Sequence, residues 1–312
     1  MACQQIASTY TNKVLHTVVN VYQHQFLDFK APGLGDYIRG CFSMMQFLDL
    51  LRQYCNTDIQ FEMDMRNHPL AKYIHVGEPD SSIPYGTLGN FHIDSLEVVR
   101  DENDVAYQHV LQQVVRYFNA VRTPVFRAFC CKYAAFAEVK ESHRTYIRSK
   151  FVPTDEVKSL TDAFLSTIPA DYVVLHIRLK DSDCFPEKEL ELQYLEDVKT
   201  AVLSETESGK NYVVISNHSQ IRKHLNFPTR EGMSCHLGQD TSPPDEAVLN
   251  TMLDFFVISR AKQCISFSPY MHGTGFGEEC CKIYDVPFKL VKLADAEFER
   301  LSRPPNIGLA GM

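Results

Sequence analysis

The sequence predicts an α/β protein with two domains, each built around a parallel sheet. From residue 171 onwards, short apolar strands alternate with helices, which is typical of a parallel sheet covered by helices on both faces. In the first half, a short alternating apolar run, a glycine turn and a long apolar segment follow one another, which is the order strand, turn, helix. A length of 312 residues suits two domains, each with its own core.

The boundary between the two predicted domains lies near residue 151. Pro153 interrupts the pattern there, and Thr154 or Asp155 is suited to cap a new helix. We therefore predict an N-terminal domain at 1–150 and a C-terminal domain at 151–312.

The elements of the first half follow from their apolar patterns. Alternating apolar residues predict strands, and an apolar segment after a glycine turn predicts a largely buried helix. The predicted elements are a strand at 25–30, a helix at 36–54, a strand at 58–65 and two or more helices within 103–148.

The second half has a more regular pattern. Its predicted strands are 171–178, 211–216, 233–237, 264–268 and 288–291, and its predicted helices are 188–204, 220–225, 245–262 and 275–284. Ser219 is a possible N-cap of the second of these helices.

Composition and charge narrow the classes of function. The chain holds 39 acidic and 31 basic residues, for a formal net charge of −8, which is the wrong sign for a protein that coats nucleic acid. The N-terminal sequence lacks a basic stretch followed by an apolar core, and no window of about 18 apolar residues occurs. We therefore expect no signal peptide, no membrane anchor and a cytoplasmic location.

The ten cysteines are predicted to be reduced thiols. They include the adjacent pairs Cys130–Cys131 and Cys280–Cys281 but no C-x-x-C motif. Neither the second pair with His272 nor Cys235–His236 has the ligand spacing of a known metal site. We predict no metal.

Polar residues stand at the carboxyl ends of the predicted strands, where open parallel sheets bind ligands. His176, Arg178 and Asp181 follow the strand at 171–178 as H-x-R-x-x-D, and alternation puts the first two on the same side of the strand. A guanidinium grips two phosphate oxygens at once and so suits a diphosphate. The alternative is a structural ion pair of Arg178 with Asp181 or Asp183.

Two glycine turns are candidate anion-binding segments, because backbone N–H groups at the start of a helix attract phosphate oxygens. One is the turn at 269–277, and the other is Gly33-Leu-Gly35-Asp36. The second is not a G-x-G-x-x-G fingerprint, because the third glycine is missing from its place. A plain turn is the alternative for each. Facing each other across a cleft, the two turns would enclose a sugar nucleotide.

Taken together, the motifs resemble those of a known enzyme superfamily. His176-Ile-Arg178-Leu-Lys-Asp181, with the Val-Pro-Thr segment before it, resembles the first motif of the α1,2-, α1,6- and protein O-fucosyltransferase superfamily. Segments 215–219 and 254–268, the latter followed by Thr274-Gly275-Phe276, resemble its second and third motifs in order and spacing. Gly33-Leu-Gly35-Asp36 resembles its N-terminal glycine loop.

The resemblance implies a GT-B fold, in which two Rossmann-like domains enclose a nucleotide-sugar cleft. It implies transfer of fucose from a GDP-sugar donor to a glycan or protein acceptor, with inversion and without a metal or other cofactor. The N-terminal domain would face the acceptor, and the C-terminal domain would bind the donor.

The resemblance also assigns roles to residues. Arg178 would hold the β-phosphate and stabilise the charge on departing GDP, and Asp254 would face the base. The donor-binding residues that it implies are Gly33, Gly35, Arg39, His176, Asp181, Asn217, Asp254, Ser268, Thr274, Gly275 and Phe276.

Several alternatives stay open. Asn217 stands where several relatives carry Asp, and Asp36 where the family carries Asn, so a UDP-linked donor is an alternative to GDP. A catalytically silent sugar-nucleotide or glycan-binding module is another, although the presence of both His176 and Arg178 argues against it. Asp36 is our candidate for the general base that takes the acceptor's proton, and an exposed acid at a helix start is the alternative.

Overall fold

Two parallel β-sheets form the framework of the protein in its computed structural model, which describes residues 2–22, 25–26, 29–30, 33–76, 89–90, 105–129, 139–184, 187–238, 243–270 and 274–293. The strands are β1 Thr17–Val21, β2 Gln25–Phe26, β3 Phe29–Lys30, β4 Gln60–Asp64, β5 Gly89–Asn90, β6 Val125–Phe129, β7 Tyr172–Ile177, β8 Asn211–Ser216, β9 Gln263–Ser268 and β10 Phe288–Lys292. The helices are α1 Ala2–Ala7, α2 Leu34–Cys55, α3 Val105–Ala120, α4 Glu141–Lys150, α5 Asp155–Leu165, α6 Asp181–Cys184, α7 Leu192–Leu203, α8 Ser219–Leu225, α9 Asp245–Ile258 and α10 Gly275–Tyr284, with a short 3-10 helix at Pro69–Lys72.

Each sheet is parallel throughout. The first has the strand order β4-β1-β6-β5, and the second has the order β10-β9-β7-β8. The predicted α/β class with parallel sheets is therefore confirmed. Because all strands of a sheet run the same way, their carboxyl ends share one edge, and the residues that follow them lie close together.

In the second half, the predicted strands and helices are found with one exception. The exception is the strand expected at 233–237, which is wrong. The chain meets the edge of β8 earlier, where Val214 donates its N–H to the carbonyl of Pro228 at 2.8 Å and forms a single bridge with Thr229. The helix expected at 245–262 ends at Ile258, and Ser219 is the first residue of α8, whose N-cap is His218. Thr154 caps α5, as one of the two predicted alternatives.

In the first half, three strands of the sheet were not predicted: β1, β5 and β6. β1 pairs with both β4 and β6. β6 falls within 103–148, where only helices were expected. The residues predicted as one strand at 25–30 instead supply β2 and β3, which pair antiparallel with each other.

One apolar core extends through both halves of the chain. It includes Tyr37 and Phe42 of α2 together with Phe255 of α9 and Ile283 of α10. α4 also contacts both halves: His143 Nε2 lies 2.9 Å from Asp49 in α2, and Arg148 donates to the carbonyl of Ile283 at 3.1 Å. The division of the chain at residue 150 stays a prediction.

Candidate functional site

The N-termini of α2 and α10 touch, and this contact joins the two sheet units. Gly35 is the second residue of α2, and Gly275 is the first of α10. A Cβ atom on Gly35 would lie 2.5 Å from the backbone nitrogen of Phe276 and would overlap the carbonyl group of Gly275. Only glycine fits at position 35, because a side chain would force the two backbones apart. The positive ends of two helix dipoles therefore meet here.

Arg39 and Glu279 form a buried ion pair beside this contact. Arg39 Nε lies 3.1 Å from Glu279 Oε1, and Lys282 Nζ lies 2.9 Å from the same oxygen. Arg39 Nη1 is also 3.3 Å from Asp36 Oδ1, and the Asp36 side chain is 43% exposed. Arg39 Nη2 lies 3.1 Å from the position that a Cβ on Gly275 would occupy. Arg39 therefore links the two helices and places its positive charge at the start of α10.

Arg178 comes directly after β7, the strand that lies between β9 and β8. Its side chain is 14% exposed and forms an ion pair with Asp181, which the sequence left open as an alternative. Its Nη1 donates to the carbonyl of Leu179 at 2.8 Å, and its guanidinium carbon lies 5.9 Å from the centre of the Tyr270 ring. The head group thus contacts a carboxylate, a carbonyl and an aromatic ring, and part of the side chain stays accessible.

Asn217 and Tyr270 hold the turn that carries Arg178. Asn217 Oδ1 accepts from the backbone N–H of Leu179 at 2.9 Å, and the Tyr270 hydroxyl accepts from the N–H of Asp181 at 2.9 Å. Tyr270 was not predicted as a site residue. It stands two positions after β9, so the same search of strand ends could have found it.

His176 is buried close to Thr274, the residue before the first turn of α10. Its Nδ1 lies 3.0 Å from Ser266 Oγ, which lies 2.9 Å from Thr274 Oγ1. Thr274 is the N-cap of α10, but its hydroxyl belongs to this network and does not cap the helix. Burial, together with the charge of Arg178, lowers the pKa of His176 to about 4, so the ring is neutral at pH 7.

Asp254 is held by arginines inside the second sheet unit. Its side chain is 2% exposed, and its two oxygens lie 3.2 Å from Arg222 Nη2 and 3.2 Å from Arg230 Nε. The hydroxyl of Ser234 donates to the same carboxylate. These contacts show what holds Asp254, and its predicted place against a nucleotide base stays a proposal.

Ser268 and Phe276, also predicted to bind the donor, have partners within the protein. Ser268 Oγ accepts from the backbone N–H of Tyr270 at 3.2 Å. The Phe276 ring lies 5.8 Å from that of Phe255 and 6.1 Å from that of His176, between ring centres. Ser268 is the last residue of β9, and Phe276 is the second residue of α10, so both lie where the chain passes from the second sheet to this helix.

His236 lies against the turn at Gly33, although it was not predicted as a site residue. A Cβ on Gly33 would lie 3.2 Å from His236 Nε2 and 3.8 Å from Asp36 Oδ2. These two side-chain atoms are therefore close to the same face of Gly33. Burial and the charge of Arg178 lower the pKa of His236 to about 4, against the opposing charge of Asp181. His236 therefore lies against the N-terminal glycine turn and is affected by the charge of Arg178. The strand wrongly expected at 233–237 gave no reason to place it there.

The described ranges hold neither a metal-binding cluster nor a membrane-spanning helix. There, no three His, Cys, Asp or Glu side chains stand close enough together to hold a metal ion. Of the helices that the structure describes, none is both long and apolar enough to cross a membrane. Cys280 and Cys281 are buried thiols, whereas Cys130, Cys131 and His272 lie outside the described residues.

Comparison with known proteins identifies the fold. No known family profile matches the sequence, and no curated protein matches it. Among solved structures, a mutant of the Arabidopsis thaliana fucosyltransferase FUT1 in complex with GDP is similar, with a TM-score of 0.53 and 10% identity over 95% of this chain and 75% of that one. NodZ fucosyltransferase from Bradyrhizobium gives a TM-score of 0.47 and 13% identity, over 85% of this chain and 92% of that one. The similarity to FUT1 shows that this chain has the fold of that fucosyltransferase, so the expected fold is confirmed.

Proposed function

We propose that the protein is a glycosyltransferase that transfers fucose from GDP-fucose to a hydroxyl group of a glycan or a protein. The observation that carries the proposal is the position of Arg178, which follows β7 on a turn braced by Asn217 and Tyr270. The His236 ring lies against Gly33, and the positive charge of Arg178 acts on it electrostatically and lowers its pKa. A diphosphate between the two turns would meet a guanidinium and the starts of two helices.

The chemistry follows from the charges that develop. When the bond between the sugar and the diphosphate breaks, the sugar ring becomes cationic and the departing GDP gains negative charge. Arg178 and the N–H groups at the start of α10 would stabilise that charge, because fixed donors and dipoles aimed at a developing anion lower the barrier. In an inverting reaction, the acceptor hydroxyl attacks the sugar from the face opposite the diphosphate.

Asp36 is the proposed general base. Its side chain is 43% exposed at the start of α2 and lies 3.3 Å from Arg39, and a carboxylate in this position can accept the proton of an acceptor hydroxyl. The N-terminal half would then face the acceptor, and the C-terminal half would bind the donor.

The decisive experiment combines nucleotide binding with turnover. We expect GDP to bind more tightly than UDP in calorimetric titrations, and GDP-fucose to be hydrolysed slowly in the absence of an acceptor. Arg178→Ala should lower the rate about a hundredfold, because the loss of one such contact costs about 3 kcal/mol of transition-state stabilisation.

Arg260→Ala is the matched control, because Arg260 pairs with Asp162 and precedes β9, whereas Arg178 follows the parallel strand β7 at the opposite end of the sheet. It should keep the wild-type rate. Preference for UDP would replace the donor that we propose, and binding without any turnover would indicate a binding module. A rate for Arg178→Ala within threefold of wild type would remove Arg178 from the reaction.

A further inference from the structure

The segment that carries His236 is fixed from several sides. Arg222 Nη1 donates to the carbonyls of Arg230 at 3.0 Å and Gly232 at 2.9 Å. Thr251 Oγ1 accepts from the backbone N–H of Cys235 at 2.9 Å. These contacts come from α8 and α9 and leave the backbone before His236 little freedom to move.

The N-terminal half holds the other end of the same segment. His68 Nε2 lies 3.2 Å from the carbonyl of Leu237, and because a carbonyl can only accept, this nitrogen must donate. His236 therefore occupies a place set by both halves of the protein, with Gly33 in front of its ring.

The hydrogen bonds of the ring fix its tautomer. The backbone N–H of Gly238 donates to His236 Nδ1 at 3.2 Å, so Nδ1 carries no proton. A neutral imidazole must then carry its proton on Nε2, the atom that lies 3.2 Å from the Cβ position of Gly33. In this state the ring is a hydrogen-bond donor and has no second lone pair with which to act as a base.

We infer that His236 is a donor-binding residue, whose Nε2–H bonds an oxygen of the sugar-nucleotide diphosphate between the Gly33 and Arg178 turns. The inference rests on the proposed function, which supplies the diphosphate. It adds a contact from a segment outside the three motifs, and it explains why glycine stands at position 33. A side chain there would occupy the space between Nε2 and Asp36 Oδ2.

The test compares two substitutions of similar size that differ in the donor. His236→Gln keeps an N–H donor, whereas His236→Met fills the space without one. Calorimetric titration with GDP should show an affinity about 10- to 100-fold lower for His236→Met, as expected for the loss of a hydrogen bond to a charged group. His236→Gln should stay within about threefold of wild type.

His224→Met is the matched control, because His224 Nε2 lies 2.9 Å from Glu196 Oε1 between α8 and α7. The affinity of this variant for GDP should be unchanged. Wild-type affinity in His236→Met, or equal losses in the Met and Gln variants, would overturn the inference. The wild-type protein gives a second readout that needs no variant: GDP should shift the Nε2–H resonance of His236 in a ¹⁵N-labelled sample. GDP binding without that shift would also overturn it, whereas a wild-type protein that binds no GDP would refute the proposed function itself.

Discussion

Asp254 and Arg178 show how neighbours decide what a buried charge can do. Asp254 has one arginine on each carboxylate oxygen, and such a pair offsets the cost of removing the charge from water. Arg178 has one carboxylate partner and a partly exposed side chain. A phosphate can compete for Arg178 at little cost, whereas exposing Asp254 to a ligand would require its arginines to move.

His176 makes the stability of the protein depend on pH. Its pKa is about 4 in the folded protein and about 6.5 in an unfolded chain, so below pH 6.5 protons bind preferentially to the unfolded state. The free energy of unfolding should therefore fall as the pH is lowered from 6.5 towards 4. Between pH 7.5 and pH 5, this one group should account for a loss of about 2 kcal/mol.

Urea unfolding at the two pH values checks this prediction. His176→Gln removes the titrating group and should reduce the pH-dependent loss by about that amount. Ser266→Ala is the control, because it removes a hydrogen-bond partner of the ring and keeps the imidazole. It should lower stability at both pH values and leave the difference unchanged. An equal loss in wild type and His176→Gln would show that His176 does not titrate as described.

At the scale of elements, the crossing of α2 and α10 depends on Gly35. In Gly35→Ala, the new methyl group would meet backbone atoms of Gly275 and Phe276, which cannot rotate away as a side chain can. We expect a loss of about 3 kcal/mol in the free energy of unfolding, at the upper end for an overpacked site, and weaker GDP binding because the two helix starts separate. Denaturant unfolding and calorimetry measure the two effects.

Gly209→Ala is the control for a strained backbone. Gly209 has a φ of +85°, but nothing lies within 4 Å of its Cβ position. This variant should lose about 1 kcal/mol and bind GDP as wild type does. If Gly35→Ala is as stable as wild type, the two helices do not approach as closely as described.

The elements that could be predicted are those whose pattern is local. β7 and β8 are continuous apolar runs bounded by polar residues, and α10 follows a turn of small residues. β6 was missed because residues 103–148 are rich in helix formers, which predicted helices throughout that range. Arg127 in the middle of β6 also gives no sign of a buried strand. Arg127 is tolerated because its Nη1 lies 3.1 Å from Asp64 Oδ2 at the end of β4, and a partner 63 residues away leaves no local signal.

The same reasoning separates the site residues. His176, Arg178 and Asn217 stand at strand ends, and strand ends can be read from the sequence. His236 belongs to a segment without regular structure, whose path is set by Arg222 and Thr251. Such contacts appear only once the chain is folded.

At the scale of the whole molecule, the two sheet units share their stabilising contacts. Residues of α2 and α10 belong to one apolar core, and the Arg39–Glu279 ion pair lies buried between these helices. Separating the units would expose that core and would break the ion pair between Arg39 and Glu279. We therefore expect the two units to unfold together, although each has its own sheet.

Scanning calorimetry tests this expectation directly. One transition should appear, and its calorimetric enthalpy should equal the van't Hoff enthalpy, because neither unit remains folded once the shared core is exposed. Glu279→Gln should lower the midpoint, since it leaves the Arg39 guanidinium without its buried partner charge, but the transition should stay single because the apolar contacts remain. Two resolved transitions in the wild-type protein, or a calorimetric enthalpy well above the van't Hoff value, would show that the halves are independent folding units. In that case the proposed donor site at their junction would be formed by two bodies that can separate, and nucleotide binding would have to supply the energy that holds them together.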